Sequence, residues 1–88
     1  MQIFPKYPFN YQIGKLYRYN GLEENIFLLN DGPRAVSSIF NGDIVCFITE
    51  PYKKMNSFYC RILHSNGVVG DIFWDIKTFD IFTRVQQS

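Results

Sequence analysis

Hydrophobic and polar positions alternate with period two along most of this chain, and no window longer than about eight residues carries the 3.6-residue period of a helix. Ile44 to Thr49 is almost wholly apolar and reads as a central strand. Phe58 to His64 sets Phe58, Cys60 and Ile62 against Tyr59, Arg61 and Leu63, as a strand between two environments does. Ser65-Asn66-Gly67 follows, and Asn-Gly is the favoured pair for a type I′ hairpin turn. Val68 to Trp74 is the answering strand, Asp75 to Phe79 reads as a single 3-10 turn, and Asp80 to Val85 completes the sheet. Upstream, Ile13 to Tyr19 reads as a first strand. A long excursion from Asn20 then holds a short strand at Ile26–Leu29, a turn at Asn30-Asp31-Gly32-Pro33 and a return over Ala35–Phe40. Tyr52 to Asn56 reads as a polar loop. The pattern predicts an all-β domain of about five strands, a small closed barrel over residues 13–85, with a frayed end at 86–88.

Residues 1–12 differ from the rest. Pro5 and Pro8 oppose both helix and central strand, while Ile3, Phe4, Tyr7, Phe9 and Tyr11 are too apolar for a solvated tail. The segment is expected to be an extended apolar arm, lying across the barrel or across a neighbouring subunit.

The series of segments resembles the SH3-like barrel over Leu16 to Arg84. Leu16-Tyr17-Arg18-Tyr19 is similar to the Ala-Leu-Tyr-Asp-Tyr segment of SH3 domains, with Arg18 in place of the acid. Asn20 to Ser38 stands where the RT loop does. Ser38-Ile39-Phe40-Asn41-Gly42-Asp43-Ile44 resembles the diverging turn, Lys53–Asn56 the n-Src loop and Ser65–Gly67 the distal hairpin. Gly70-Asp71-Ile72-Phe73 occupies the place before the SH3 3-10 turn. The resemblance implies an aromatic ridge at Tyr17 and Tyr19 with acids at Glu23 and Glu24. However, Phe58 or Tyr59 replaces the ridge tryptophan and Phe73 replaces the ligand-contacting proline, so half of the groove for proline-rich peptides is missing or rebuilt. The chain also resembles small tailed-bacteriophage proteins with this fold, which implies a viral accessory or assembly role.

Composition narrows the function classes. Eighty-eight residues suffice for one domain that buries roughly 60 % of its unfolded surface. Six Tyr and nine Phe supply bulky side chains for a small core or for an interface. Net charge is +1, without a clustered basic footprint. Cys46 and Cys60, each between apolar neighbours, read as buried reduced thiols, and no metal-ligand spacing is present. No leader and no membrane-length apolar run is visible, which gives an expected cytoplasmic location, in the host cytoplasm if the source is viral.

Candidate chemistry is sparse. His64 lacks a paired nucleophile at a defined spacing, and Ser37, Ser38, Ser57 and Ser65 lack a nucleophile-elbow context. Asp71 and Asp75 flank Trp74 without forming a metal loop. The expectation is a noncatalytic module that needs no cofactor and works through protein contacts or self-assembly. Its candidate contact residues are Tyr17, Tyr19, Phe73 and Trp74. Trp74 is either a residue closing the barrel or an interface anchor, and the two tyrosines are either outward or covered by the arm. Leu16 is expected to point into the core. The alternative is a single-stranded nucleic-acid-binding module using Lys53, Lys54, Tyr59 and Arg61, because cations and aromatic rings together hold phosphates and stack bases.

Overall fold

A computed structural model of the chain describes residues 5–21, 25–30 and 34–85. The expectations for residues 1–4, for Glu23 and Glu24, for the turn residues 31–33 and for the frayed end 86–88 fall outside these.

The described residues contain no helix and eight strands, rather than about five: β1 (Leu16–Tyr19), β2 (Ile26–Leu29), β3 (Ala35–Ile39), β4 (Ile44–Phe47), β5 (Tyr52–Lys54), β6 (Ser57–His64), β7 (Val69–Phe73) and β8 (Phe82–Arg84). They form one antiparallel sheet in the order β3-β2-β7-β6-β4-β1-β8, with β5 on the same edge of β6 as β4. The end strands β3 and β8 are not neighbours in this order. The sheet therefore curls into a half-barrel rather than a closed one. Its curl follows from its inner face, where Tyr17, Tyr19, Leu28, Ile39, Val45, Phe47, Ile62, Ile72, Trp74 and Phe82, drawn from most of the strands, share one buried cluster.

Three local features depart from the sequence reading. The first is β5. Residues 52–56 are a hairpin arm and its turn, not a loop, with Tyr52 opposite Tyr59 and Lys54 opposite Ser57. Met55 and Asn56 both adopt positive φ, 51° and 68°. Two successive left-handed residues are the signature of a type I′ turn, whose twist matches that of the flanking strands. Second, at Ser65-Asn66-Gly67 only Gly67 is left-handed, with φ 90°. The Gly67 N–H donates to the His64 carbonyl and the His64 N–H donates to the Val68 carbonyl. This is a type I turn closed by a glycine bulge, not a type I′ turn. Third, residues 75–80 form a hydrogen-bonded turn and not a 3-10 helix. Asp75 accepts the Lys77 N–H at 2.9 Å, while the buried Thr78 hydroxyl donates to the Phe73 carbonyl at 2.8 Å.

The Met55–Asn56 turn carries a prediction. A side chain in the left-handed region costs roughly 1 kcal/mol or more, least for asparagine and nothing for glycine. Exchanging the pair for the preferred one, Met55→Asn with Asn56→Gly, is expected to raise stability by about 1 kcal/mol, a melting shift of roughly 4–8 °C for a domain of this size. Thermal unfolding followed by circular dichroism measures it.

The register of β2 against β3 shifts between Leu28 and Leu29, which leaves Val36 as the extra residue on β3, an end strand that carries no charged residue. Such a bulge twists the edge and discourages pairing with another chain. On the other side of β2, Gly70 of β7 allows close approach: a Cβ there would lie 2.6 Å from the Leu29 carbonyl oxygen and 2.7 Å from Leu28 Cγ.

The arm packs on its own barrel. Residues 5–12 contain no strand, yet Tyr7, Phe9 and Tyr11 all lie against the core. Phe9 sits edge-on to Phe47 and Trp74, and Tyr11 stacks on Phe47 at 5.0 Å between ring centroids. The Tyr11 hydroxyl donates to the Phe79 carbonyl and accepts the Phe82 N–H, on a strand at the end of the sheet. Burial pushes the Tyr11 phenol above its ordinary range, opposed in part by the Phe82 N–H. The Trp74 indole N–H donates to the Tyr7 carbonyl at 3.3 Å.

Candidate functional site

The strand register divides the candidate residues between two faces. On β1 the alternation runs opposite to expectation: Tyr17 and Tyr19 point inward and are buried, at 5 % and 2 % exposure, while Leu16 points outward. Ring volume explains the inversion. The half-barrel is filled by aromatic rings, and a tyrosine is tolerated there when its hydroxyl finds a partner. Tyr17 does so by accepting the Gln12 N–H at 2.7 Å. Trp74 is buried beneath the arm, in ring contact with Phe9, Tyr11 and Phe47. Tyr17, Tyr19 and Trp74 are thus interior, and Phe73, one residue before Trp74, projects to the opposite, solvent-facing side. The four do not form a shared pocket.

The nucleic-acid set is divided too. Lys54, Tyr59 and Arg61 converge on the outer face, whereas Lys53 stands opposite Phe58 and projects to the other side of the sheet. Phe73 joins the outer group, with its ring 4.8 Å from that of Tyr59.

The outer face is organised in rows, because directly paired residues share a face. One row crosses four strands: Leu16 opposite Cys46, Cys46 opposite Leu63, Leu63 opposite Val69. Its leucines and valine are 40–48 % exposed, and Cys46 is half-buried rather than enclosed. A second row runs from Leu29 to Asp71 to Arg61. A third runs from Tyr52 to Tyr59 to Phe73.

Asp71 lies at the centre of this face and is wholly buried. Its Oδ2 accepts from Lys54 Nζ at 2.9 Å. Its Oδ1 faces Arg61 Nε at 3.5 Å, an ion pair rather than a hydrogen bond, so that oxygen is electrostatically compensated but not hydrogen-bonded. Lys54 reaches Asp71 across the Tyr59 ring, its Nζ 4.7 Å from the ring centroid. An open recess of about 430 Å³ lies beside the cluster, lined by Thr49, Tyr52, Lys54 and Arg61. The residues thus present two cations tied to one buried carboxylate, aromatic rings on one side and an aliphatic row on the other. Asp71 was not singled out from the sequence as the hub. The available signal was an acid within an otherwise apolar strand whose cross-strand neighbour, Arg61, is basic.

The inner face of β6 holds two further titratable groups, Cys60 and His64. Burial, reinforced by the negative charges of Asp71 and Glu50, pushes the Cys60 thiol far above its ordinary range, which makes it an inert core residue. His64 is buried with Nε2 2.9 Å from Asp43 Oδ2, and its Nδ1 has no partner. Asp43 also accepts the Phe40 N–H at 2.9 Å and so pins the turn into β4. That backbone N–H, with His64, holds the Asp43 carboxyl below its usual range against the opposing effect of partial burial. A carboxyl lowered in the folded state stabilises fully above its unfolded value of about 3.9, and the contribution is lost as pH falls through the folded value. Asp43→Asn is therefore expected to flatten the acid side of the stability profile, read as the urea midpoint between about pH 5 and pH 2. Among the described residues no group of three His, Cys, Asp or Glu is placed to hold a metal, and no helix is long and apolar enough to cross a membrane.

No protein-family model, no curated protein and no solved structure matches the chain.

Proposed function

We propose that this chain is a noncatalytic, SH3-like module that works through protein contacts made by the outer face of its sheet. One observation carries the reading: the row Leu16–Cys46–Leu63–Val69 leaves three exposed aliphatic side chains in register across four strands. Single exposed apolar residues are ordinary on a protein surface, but contiguous ones mark contact sites. The sheet ladder already satisfies the backbone of these strands, so burying the face costs little in unpaired polar groups.

Single-stranded nucleic acid is the second reading, supported by the convergence of Lys54, Tyr59, Arg61 and Phe73. It is the weaker one, because Asp71 offsets one of the two cations and Lys53 lies on the other side.

Peptides selected from a random library on the immobilised protein, followed by backbone amide-shift mapping, test the choice. The protein-contact reading expects shifts centred on Leu16, Cys46, Leu63, Val69 and Phe73, and loss of binding in Leu63→Lys. Absence of peptide binding at that face, with oligothymidylate binding that weakens steeply with salt, would replace it with the nucleic-acid reading.

A further inference from the structure

We infer that the partner of the outer face is a second copy of this chain, packed sheet against sheet about a two-fold axis that passes close to Cys46 and Leu63. The inference rests on the protein-contact reading above and goes beyond it by naming the partner.

Three observations favour a second copy. The first is electrostatic. A two-fold contact sets every charged group against its own duplicate, so an uncompensated cluster at the centre would repel itself. Here Lys54 and Arg61 share the buried carboxylate of Asp71, which leaves one net positive charge per copy in the cluster, and the whole chain carries only +1. The like charge brought together is held to one unit per copy, to the side of an axis that passes by Cys46 and Leu63.

The second is the shape of the row. It runs across the strands, and its members are spaced by the strand separation of about 4.8 Å. Cys46 and Leu63 form its middle, with Leu16 at one end and Val69 at the other. Rotation by half a turn about the middle lays Leu16 of one copy towards Val69 of the other. Stacked sheets cross at about 30° or about 90°; at the smaller angle the row lies along its duplicate, and at the larger the two meet at Cys46 and Leu63. Such self-complementarity is what an isologous interface requires.

The third is area. Leu16, Ile48, Leu63, Val69 and Phe73 are each 40–48 % exposed. Together they present roughly 300 Å² of apolar surface, taking about 150 Å² for each side chain in full, the lower end of the aromatic range. A standard interface covers about 800 Å² per partner, of which a little over half is non-polar. The face supplies the larger part of that non-polar share, with the Arg61–Asp71 pair between its aliphatic row and Phe73.

Light scattering on the full chain across a concentration series from micromolar to millimolar tests this, with Leu63→Lys and Val69→Lys alongside. Both positions are solvent-facing, and thermal melts of the two variants report whether the fold is kept; having the variants on two strands guards against a local folding defect in either. The expected mass rises with concentration to twice the 10.4 kDa of one chain. Each lysine is expected to raise the dissociation constant at least 100-fold. A short thiol-to-thiol linker should join Cys46 to Cys46 in the wild type and not in the variants. A dimer untouched by either lysine overturns the inference. So does a chain that stays monomeric throughout; if peptide mapping still finds the outer face, the protein-contact reading survives, and if mapping fails as well, both fall.

Discussion

Phe47→Ala is expected to destabilise the fold by about 3–5 kcal/mol, the range for emptying a fully enclosed phenylalanine site. Phe47 has no exposure, and its ring meets those of Phe9, Tyr11, Tyr17, Trp74 and Phe82 at centroid distances of 5.0–5.9 Å. Two of these rings belong to the arm, two to strands β1 and β8, and one follows β7. The side chain is thus the point at which the arm, the sheet end and the turn after β7 are joined. Collapse into the vacancy is resisted by five rigid rings, which favours the upper part of the range. Folded domains have about 5–15 kcal/mol in total, and a chain this small sits towards the lower end. The variant should therefore be largely unfolded at 37 °C. Urea unfolding followed through Trp74 emission measures it, with the exposed Phe73→Ala as a control expected to change stability by under about 1 kcal/mol. A loss under about 1 kcal/mol for Phe47→Ala would mean the aromatic core is not organised around this ring.

Lys54→Met carries the second large effect, about 3 kcal/mol of destabilisation. The loss comes from the charge left behind. Asp71 is wholly buried, and removing the ammonium that bonds its Oδ2 at 2.9 Å leaves a carboxylate with only Arg61 at 3.5 Å to compensate it. Breaking a buried pair by deleting one partner typically costs about 3–5 kcal/mol, whereas replacing both by apolar groups is often neutral. Arg61 moderates the loss. The double change Lys54→Met with Asp71→Leu is accordingly expected to recover most of it, since no buried charge remains. Lys53→Met, one residue away but exposed and on the opposite side, should be nearly silent. Denaturant midpoints of the three variants decide the matter. An equal loss for the double variant would show that Asp71 contributes through something other than its charge.

Much of the strand plan was legible in the sequence because the hydrophobic runs are bounded by turn residues. β2, β3, β4, β6 and β7 lie within the stretches expected, to within a few residues. β5 was not legible, since Tyr52-Lys53-Lys54 has little strand character of its own and its turn contains no glycine. It exists because β6 is long enough to pair with two segments along one edge. The facing of β1 was inverted for a different reason. Leu16 and Tyr17 are both apolar enough for a core, and alternation alone does not say which lies inside. The arm decided it, by bringing the Gln12 N–H to the Tyr17 hydroxyl and the Tyr11 ring to the same face. The candidate site was read in two halves, one aromatic and one basic. The register of β6 and β7 takes Phe73 from the first and Lys54, Tyr59 and Arg61 from the second, and joins them around Asp71.

The central claim is that the arm closes over the aromatic interior, so that the outer face is the surface left for contacts. Trp74, the chain's single tryptophan, reports on it directly. Its emission and its quenching by acrylamide would be measured in the full chain and in Phe9→Ala. The account predicts blue-shifted, quencher-protected emission in the full chain, and a red shift with greater quenching once Phe9 is truncated. Red-shifted, freely quenched emission in the full chain would contradict it, and would return the contact surface to Tyr17, Tyr19 and Trp74.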